Sequence, residues 1–147
     1  MDLGHPDLQL LFDGLMNMTK KLLEPQGGFL PNGAIVLPNG KLAYVGAAAE
    51  KAQPGAQVLL RLLEGGLRGI VVKEMARAAG ISVDTRLKSP PRPEDVGKDA
   101  IWIFLEHKDG ACINVYTPYT QSAPGQFTYR EPFTALAQPR IFINPAH

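Results

Sequence analysis

The sequence predicts an α+β domain in which an antiparallel sheet of about five strands carries two main helices. Two segments place apolar residues at every third or fourth position, as helices do, and others alternate apolar and polar residues, as half-buried strands do. Asn39-Gly40 and Asp109-Gly110 each separate two apolar runs, which is a strong signal for a β-hairpin. The chain has 147 residues, the usual size of one domain, so we expect 1–147 to fold as a single domain.

The first helix is predicted over residues 6–24. Pro6 suits the first helical position, and Pro25 is expected to stop the helix. One face of this segment is apolar and is formed by Leu8, Leu11, Phe12, Leu15, Met18 and Leu22. This face should pack against the sheet.

Two hairpins should supply most of the sheet. Their strands are predicted over residues 33–37, 41–45, 99–107 and 111–117. If each turn has two residues, Leu37 pairs with Leu42 in the first hairpin and His107 pairs with Cys112 in the second. Under that register His107 and Cys112 are neighbours on one face.

Between the hairpins, residues 54–79 are predicted to form one long helix, bent near its glycines and closed by Gly80. At Gly80 the apolar period changes from 3.6 to two, which predicts a strand over 81–88. A further strand is expected over 126–130, and the apolar run 140–143 suggests a last short one. The predicted order is therefore α–β–β–α–β–β–β, with one more strand at the end.

That order resembles the profilin-like and roadblock-like domains, in which helices pack on an antiparallel sheet of about five strands. The resemblance is topological, and it implies a fold that serves scaffolds, ligand sensors and small-molecule binders alike. A second resemblance rests on Leu105-Glu106-His107, Gly110, Pro118-Tyr119 and Ile141-Phe142. This set is similar to a group of small bacterial proteins with an L-E-H…P-Y pattern, and that group implies no particular activity.

Charge and motifs argue against nucleic-acid binding. Residues 76–82 read A-x-x-A-G-I-S and resemble the turn of a helix-turn-helix repressor. However, residues 81–88 alternate like a strand, and Ser89-Pro90-Pro91 leaves little room for a recognition helix. The 15 basic and 14 acidic residues give a net charge of +1, which provides no long-range attraction to phosphates.

The same reading predicts a cytoplasmic protein with no membrane partner, metal or cofactor. The chain has one cysteine and begins without a signal-peptide pattern, and none of its apolar runs has the length of a membrane span. Its three histidines, His5, His107 and His147, show no zinc-ligand spacing. Phosphate-loop, dinucleotide-binding and nucleophile-elbow motifs are also missing from the sequence.

We therefore expect a non-catalytic binding or protein-interaction module that could take a small-molecule ligand. The candidate binding residues are Glu106, His107, Asn114, Tyr116 and Tyr119. One alternative function is a small enzyme that uses Glu106 and His107, with Cys112 as a nucleophile. The other, which the charge and the alternation disfavour, is a regulator that binds DNA through residues 70–88.

A homodimer is also expected, because both faces of the predicted sheet are apolar and only two helices are available to cover them. If both helices lie on one face, the other face needs a partner. If one helix lies on each face, a monomer is satisfied.

Overall fold

The computed structural model describes residues 2–46 and 55–143. Within these residues the chain forms two helices and one antiparallel sheet of seven strands, which confirms the α+β class and exceeds the predicted strand number. The helices and strands are α1 (Pro6–Gln26), β1 (Asn32–Val36), β2 (Leu42–Gly46), α2 (Ala56–Lys73), β3 (Ala78–Arg86), β4 (Asp99–His107), β5 (Cys112–Ala123), β6 (Gln126–Tyr129) and β7 (Phe133–Leu136). The strand order is β2-β1-β3-β4-β5-β6, and β7 pairs with β5 beside β6.

Both long hairpins differ from the predicted register by one residue, for the same reason. Each turn has three residues, and the last of them is a glycine with positive φ: Gly40 at 85° and Gly110 at 105°. The amide of His107 donates to the carbonyl of Ala111 at 2.7 Å, which closes the second loop. Three-residue loops with a left-handed glycine are the commonest alternative to two-residue turns. In this register Val36 pairs with Leu42 and Glu106 with Cys112.

Helix α2 ends earlier than predicted. It stops at Lys73, and the chain turns through Met75, which has a positive φ of 55°. The amide of Ala76 donates to the carbonyl of Val71 at 3.0 Å, so Met75 occupies the left-handed position at which helices often carry glycine. The prediction that the helix continues to residue 79 is therefore wrong.

Gly80 lies inside β3 and not at a helix end. A Cβ atom at this position would lie 2.8 Å from Cδ1 of Leu15 and 3.1 Å from the carbonyl oxygen of Phe104. The glycine thus lets α1 approach the sheet closely. The strand predicted over 81–88 is confirmed as far as Arg86. A helix-turn-helix would need its recognition helix in this same segment.

Two further boundaries differ from the sequence prediction. Helix α1 runs through Pro25 and ends at Gln26, where Gly27 with a φ of 78° donates its amide to Leu23 at 2.7 Å. The segment 140–143 is not a strand, and β7 lies at 133–136 instead. The apolar side chain of Ile141 packs against the sheet, and its backbone does not pair with a neighbouring strand.

One helix covers each face of the sheet. The α1 face joins Leu8, Leu11, Leu15 and Leu23 to Ala34, Val36, Ala78, Ile101, Ile103, Leu105 and Val115. The α2 face joins Leu63, Leu67 and Val71 to Ile35, Ala79, Ile81, Val83, Phe104 and Ile141. On the α2 face, the C-terminal segment, residues 137–143, covers the part of the sheet beside Phe104. Both apolar faces are thus covered within one chain. In the part of the chain that is described, neither helix is apolar enough over a sufficient length to cross a membrane.

Candidate functional site

The shifted register of the second hairpin separates the residues of the expected enzyme site. Glu106 and His107 are consecutive in β4 and therefore point to opposite faces of the sheet. Cys112 pairs with Glu106 and packs on the α2 face, whereas His107 lies beside α1. The prediction that His107 and Cys112 are neighbours on one face is thus wrong, because the turn has one residue more than assumed.

The Glu106 carboxylate anchors the C-terminal segment. It is 1% exposed and accepts hydrogen bonds from three consecutive backbone amides, those of Arg140 and Ile141 at 2.8 Å and that of Phe142 at 2.9 Å. These bonds use both carboxylate oxygens. The geometry gives Glu106 a structural task and leaves it little freedom for acid–base chemistry.

Cys112 lies in an environment that disfavours the thiolate. Its thiol donates to the carbonyl of Ala137 at 3.3 Å. Burial raises the pKa of the Cys112 thiol, and the negative charge of Glu106 adds to this effect. A nucleophilic cysteine needs a lowered pKa, so this environment does not favour the predicted nucleophile role.

Asn114 and Tyr116 lie on the α2 face with Trp102. Asn114 accepts a hydrogen bond from the Trp102 indole at 2.8 Å and donates to the carbonyl of Leu136 at 3.2 Å. Tyr116 stacks between Trp102 and Phe133, with ring centroids 6.2 and 5.3 Å away. It lines a cleft of about 520 Å³ between β5, β7 and the loop after β3. The polar atoms of Asn114 are thus used within the sheet.

His107 belongs to a polar cluster at the start of α1. Its Nε2 lies 3.1 Å from the Asp7 carboxylate, and its Nδ1 accepts from the backbone amide of Asp109 at 3.2 Å. Arg77 donates two hydrogen bonds to Asp7, from Nε at 3.1 Å and from Nη2 at 2.5 Å. These bonds from Arg77 hold the pKa of the Asp7 carboxyl below its ordinary value, although burial opposes them. The His5 ring lies against that of His107, with ring centroids 3.9 Å apart and ring planes tilted by 30°.

Tyr119 lies at the other end of α1 and shares a hydrogen bond with Asp84. The Tyr119 hydroxyl donates to Asp84 Oδ1 at 2.7 Å. Burial raises the pKa of the Asp84 carboxyl; the hydrogen bond from Tyr119 opposes this shift, and the negative charge of Asp99 adds to it. Burial and the adjacent carboxylate also raise the pKa of Tyr119, so the phenol remains a donor.

Asp84 is part of the wall of a cavity of about 650 Å³, which we call the Asp84 pocket. The pocket lies between the C-terminal end of α1 and the start of β1, and its lining is Leu22, Gln26, Gly28, Phe29, Leu30, Pro31, Asn32, Gly46 and Asp84. Within the described residues, the side-chain oxygen of Asn32 is buried and has no hydrogen-bond partner. The lining is thus mainly apolar, and Asp84 is its one charged side chain.

Asp84 differs from most of the buried or half-buried acids of the fold. The half-buried Glu24 likewise bonds a tyrosine hydroxyl, that of Tyr129, and makes no ion pair within the described residues, but it lies outside the Asp84 pocket. Asp7 pairs with Arg77, and the fully buried Asp95 pairs with Arg92 and Arg130. Glu106 is satisfied by backbone amides. Across residues 2–46 and 55–143, Asp84 makes no ion pair with a basic side chain. A carboxylate in a half-buried position without a cation is a candidate ligand-binding group.

The sequence prediction included Tyr119 and His107 but missed Asp84, Asp7 and His5. Asp84 falls on the polar side of the alternating segment, which suggested exposure to solvent. A usable signal was present, since a sheet with two apolar faces buries the polar positions of its inner strands as well. Comparison with protein-family models, with curated proteins and with solved structures finds no match to this chain.

Proposed function

We propose that this protein is a non-catalytic binding module whose Asp84 pocket takes a small molecule with a primary ammonium group attached to an apolar body. The observation that carries the proposal is the half-buried Asp84 carboxylate, which accepts hydrogen bonds from the Tyr119 hydroxyl and the Phe29 backbone but has no basic partner in the described structure. An ammonium group would supply the missing positive charge together with hydrogen-bond donors.

The rest of the pocket supports the apolar part of this ligand. Leu22, Phe29, Leu30 and Pro31 line the walls, and a volume of about 650 Å³ suits a small organic molecule.

The test compares 2-phenylethylamine with 2-phenylethanol, which has a neutral hydroxyl in place of the ammonium group. Titrations followed by amide NMR shifts should show binding of the amine near Phe29 and Asp84. Hydrogen bonds to charged groups contribute about 1.5–3 kcal/mol, so the alcohol should bind at least about tenfold more weakly.

Asp84→Asn keeps an acceptor for Tyr119 and removes the charge, so it should weaken amine binding by at least about tenfold. The matched control is Asp13→Asn, because Asp13 is an exposed acid of α1 that lies outside the pocket lining and does not act on the pKa of Asp84. This control should change the affinity by less than about twofold. Equal affinities for the amine and the alcohol, or an unchanged affinity in Asp84→Asn, would rule out the proposal.

We also propose that the protein forms a homodimer through the outer face of α2. Because each sheet face is covered within the chain, the dimer interface that we propose is not an uncovered face of the sheet. It depends instead on an exposed stripe at helical spacing, formed by Val58, Leu62, Gly65, Gly66, Gly69 and Val72.

This stripe is complementary to a second copy of itself. A Cβ atom added at Gly65, Gly66 or Gly69 would meet nothing within 4 Å, so these glycines leave an open notch. If a two-fold axis passes between Gly65 and Gly66, the antiparallel helix of the partner places its Leu62 against Gly69. Leu62 is 54% exposed and fits such a notch as a knob.

Sedimentation at micromolar concentration tests the dimer. The chain should sediment at twice its mass of 15.9 kDa, and Leu62→Glu should return it to the monomer mass. Val96→Glu is the control, because Val96 is similarly exposed, at 57%, but lies far from α2 in sequence, in the loop before β4. A single wild-type species at 15.9 kDa would refute the dimer.

The cellular location that we propose is the cytoplasm. The chain has a single cysteine, and its thiol is half-buried beside the carbonyl of Ala137. Such a cysteine is compatible with a reducing compartment, in which structural disulfides are rare.

A further inference from the structure

We propose that His5, His107 and Asp109 bind a divalent transition-metal ion of the zinc class. No sequence pattern indicates this site, because the two histidines are 102 positions apart and have no zinc-ligand spacing. The fold brings them together by placing the start of α1 against the turn between β4 and β5. The site is independent of the proposed function, since it lies at the opposite end of α1 from the Asp84 pocket.

The three donor atoms have the separations that a small ion needs. One nitrogen from each histidine and one Asp109 oxygen all lie within 4.8 Å of one another. His107 Nδ1 is 3.3 Å from Asp109 Oδ2, and His5 Nε2 is 3.9 Å from the same oxygen. Ligands about 2.0–2.1 Å from a tetrahedral ion are about 3.3 Å apart. Because the two imidazole rings lie almost face to face, a rotation of the His5 ring is needed to turn its Nε2 lone pair towards the ion and complete three ligand positions.

Asp7 orients His107 for this role. The Asp7 carboxylate accepts a hydrogen bond at Nε2 of His107, which keeps the proton there and leaves the Nδ1 lone pair on the side of Asp109. A carboxylate on the second ring nitrogen is the usual outer support of a metal-binding histidine. The ion would replace the backbone amide of Asp109, which now donates to Nδ1 at 3.2 Å.

His5 must change its tautomer to bind. Its Nδ1 now accepts the backbone amide of Asp7 at 3.1 Å, so its proton resides on Nε2. Metal binding through Nε2 moves the proton to Nδ1, which then no longer accepts the Asp7 amide. Asp7 Oδ2, now 4.0 Å from Nδ1, can accept this proton once the His5 ring has rotated closer to it. Asp7 would then support both histidines.

The charge and the access of the site also suit a cation. Asp7 and Arg77 neutralise each other, so Asp109 leaves the cluster with one net negative charge when both imidazoles are neutral. Asp109 is 53% exposed and His5 is 29% exposed, which leaves a route for the ion and room for water at a fourth position. Two imidazoles and one carboxylate favour zinc, cobalt, nickel or copper over magnesium and calcium, which prefer oxygen ligands.

Calorimetry with zinc chloride tests the site on the full chain. We expect one ion per chain, with binding weakened at least about tenfold in His5→Ala and in Asp109→Asn. Asp13→Asn is the control, because Asp13 is an exposed acid of the same helix, and it should leave the affinity unchanged. Titration with Co²⁺ should give the visible absorption bands of a tetrahedral ion in the wild type and lose them in His5→Ala.

Three results would overturn the proposal. One is the absence of zinc binding at micromolar concentrations. Another is zinc binding that His5→Ala and Asp109→Asn leave unchanged, because the ion would then sit elsewhere on the chain. The third is equal binding of magnesium, which would show attraction to acidic surface groups instead of imidazole ligation.

Discussion

Replacement of Glu106 by glutamine should lower the free energy of unfolding by about 2–4 kcal/mol. The carboxylate accepts three backbone amides and is 1% exposed. A glutamine side chain has one acceptor oxygen, and its amide group would meet at least one backbone N–H as a second donor. The expected loss of unfolding free energy is smaller than the full contribution of three charged hydrogen bonds, because the C-terminal segment can detach and expose its amides to water.

Detachment of the C-terminal segment in Glu106→Gln can also be measured, by the rate of trypsin cleavage. Ile141 is buried, so trypsin should cleave the Arg140–Ile141 bond slowly in the wild type and faster in Glu106→Gln. The control is Glu94→Gln, whose side chain is 58% exposed and which should stay within about 0.5 kcal/mol of the wild type in urea. An unchanged urea midpoint and an unchanged cleavage rate in Glu106→Gln would show that the three amides do not depend on the carboxylate.

Replacement of Asp7 by asparagine should cost about 2–3 kcal/mol at neutral pH. Asp7 is buried and holds Arg77 and His107 together at the first turn of α1. The loss is less than for a fully buried pair, because the Arg77 side chain is 36% exposed and can be solvated. Asp13→Asn on the same helix should change stability by less than about 0.5 kcal/mol.

The effect of Asp7→Asn should depend on pH in a defined direction. Arg77 lowers the pKa of Asp7 in the folded state below the ordinary value of about 3.9. The carboxylate therefore stabilises the fold fully at pH values above 3.9, and this contribution disappears as the pH falls through the folded pKa. The difference between the wild type and Asp7→Asn in urea should narrow in acid. A difference that stays constant between neutral pH and acid would contradict the ion-pair interpretation.

Local patterns of the sequence predicted the elements better than their ends and pairings. In the predicted stripe of α1, Met18 and Leu22 are only half-buried, and Met16 and Leu23 are buried in the core instead. The rest of the stripe and the limits of β4 were correct because they depend on periodicity within one segment. The end of α2 was not, because a left-handed Met75 closes the helix and Gly80 serves the packing of Leu15. Nothing in the local pattern distinguishes a glycine required for packing from one required for a helix cap.

The register of the hairpins decided how much of the site could be predicted. Asn-Gly and Asp-Gly fit both two-residue and three-residue loops, and one extra residue moves every partner to the opposite face. For this reason His107 was placed beside Cys112 when its neighbours are Asp7 and His5, which come from the far N-terminal end of the chain. Contacts over about 100 positions depend on how α1 docks, and no motif in the sequence reports that.

Among the residues missed, Asp84 matters most for function. Alternation placed it with Ser82 on the polar side of β3, yet Ser82 is fully buried and shares a hydrogen bond with Thr19 of α1 at 2.7 Å. The polar side of this strand faces a helix and not water. The Asp84 carboxylate is therefore partly shielded from water, and no basic side chain in the described part of the chain pairs with it.

The ionisation of Asp84 itself tests the binding proposal most directly. Carbon-13 NMR of its side-chain carboxyl gives its pKa with and without 2-phenylethylamine. In the free protein this pKa should lie above the ordinary aspartate value, because burial disfavours the charge. Bound amine should lower it, since an adjacent ammonium group favours the carboxylate, and binding should weaken as the pH falls through the pKa of Asp84. A pKa of Asp84 that is the same with and without saturating amine would contradict the claim that this carboxylate holds the ligand.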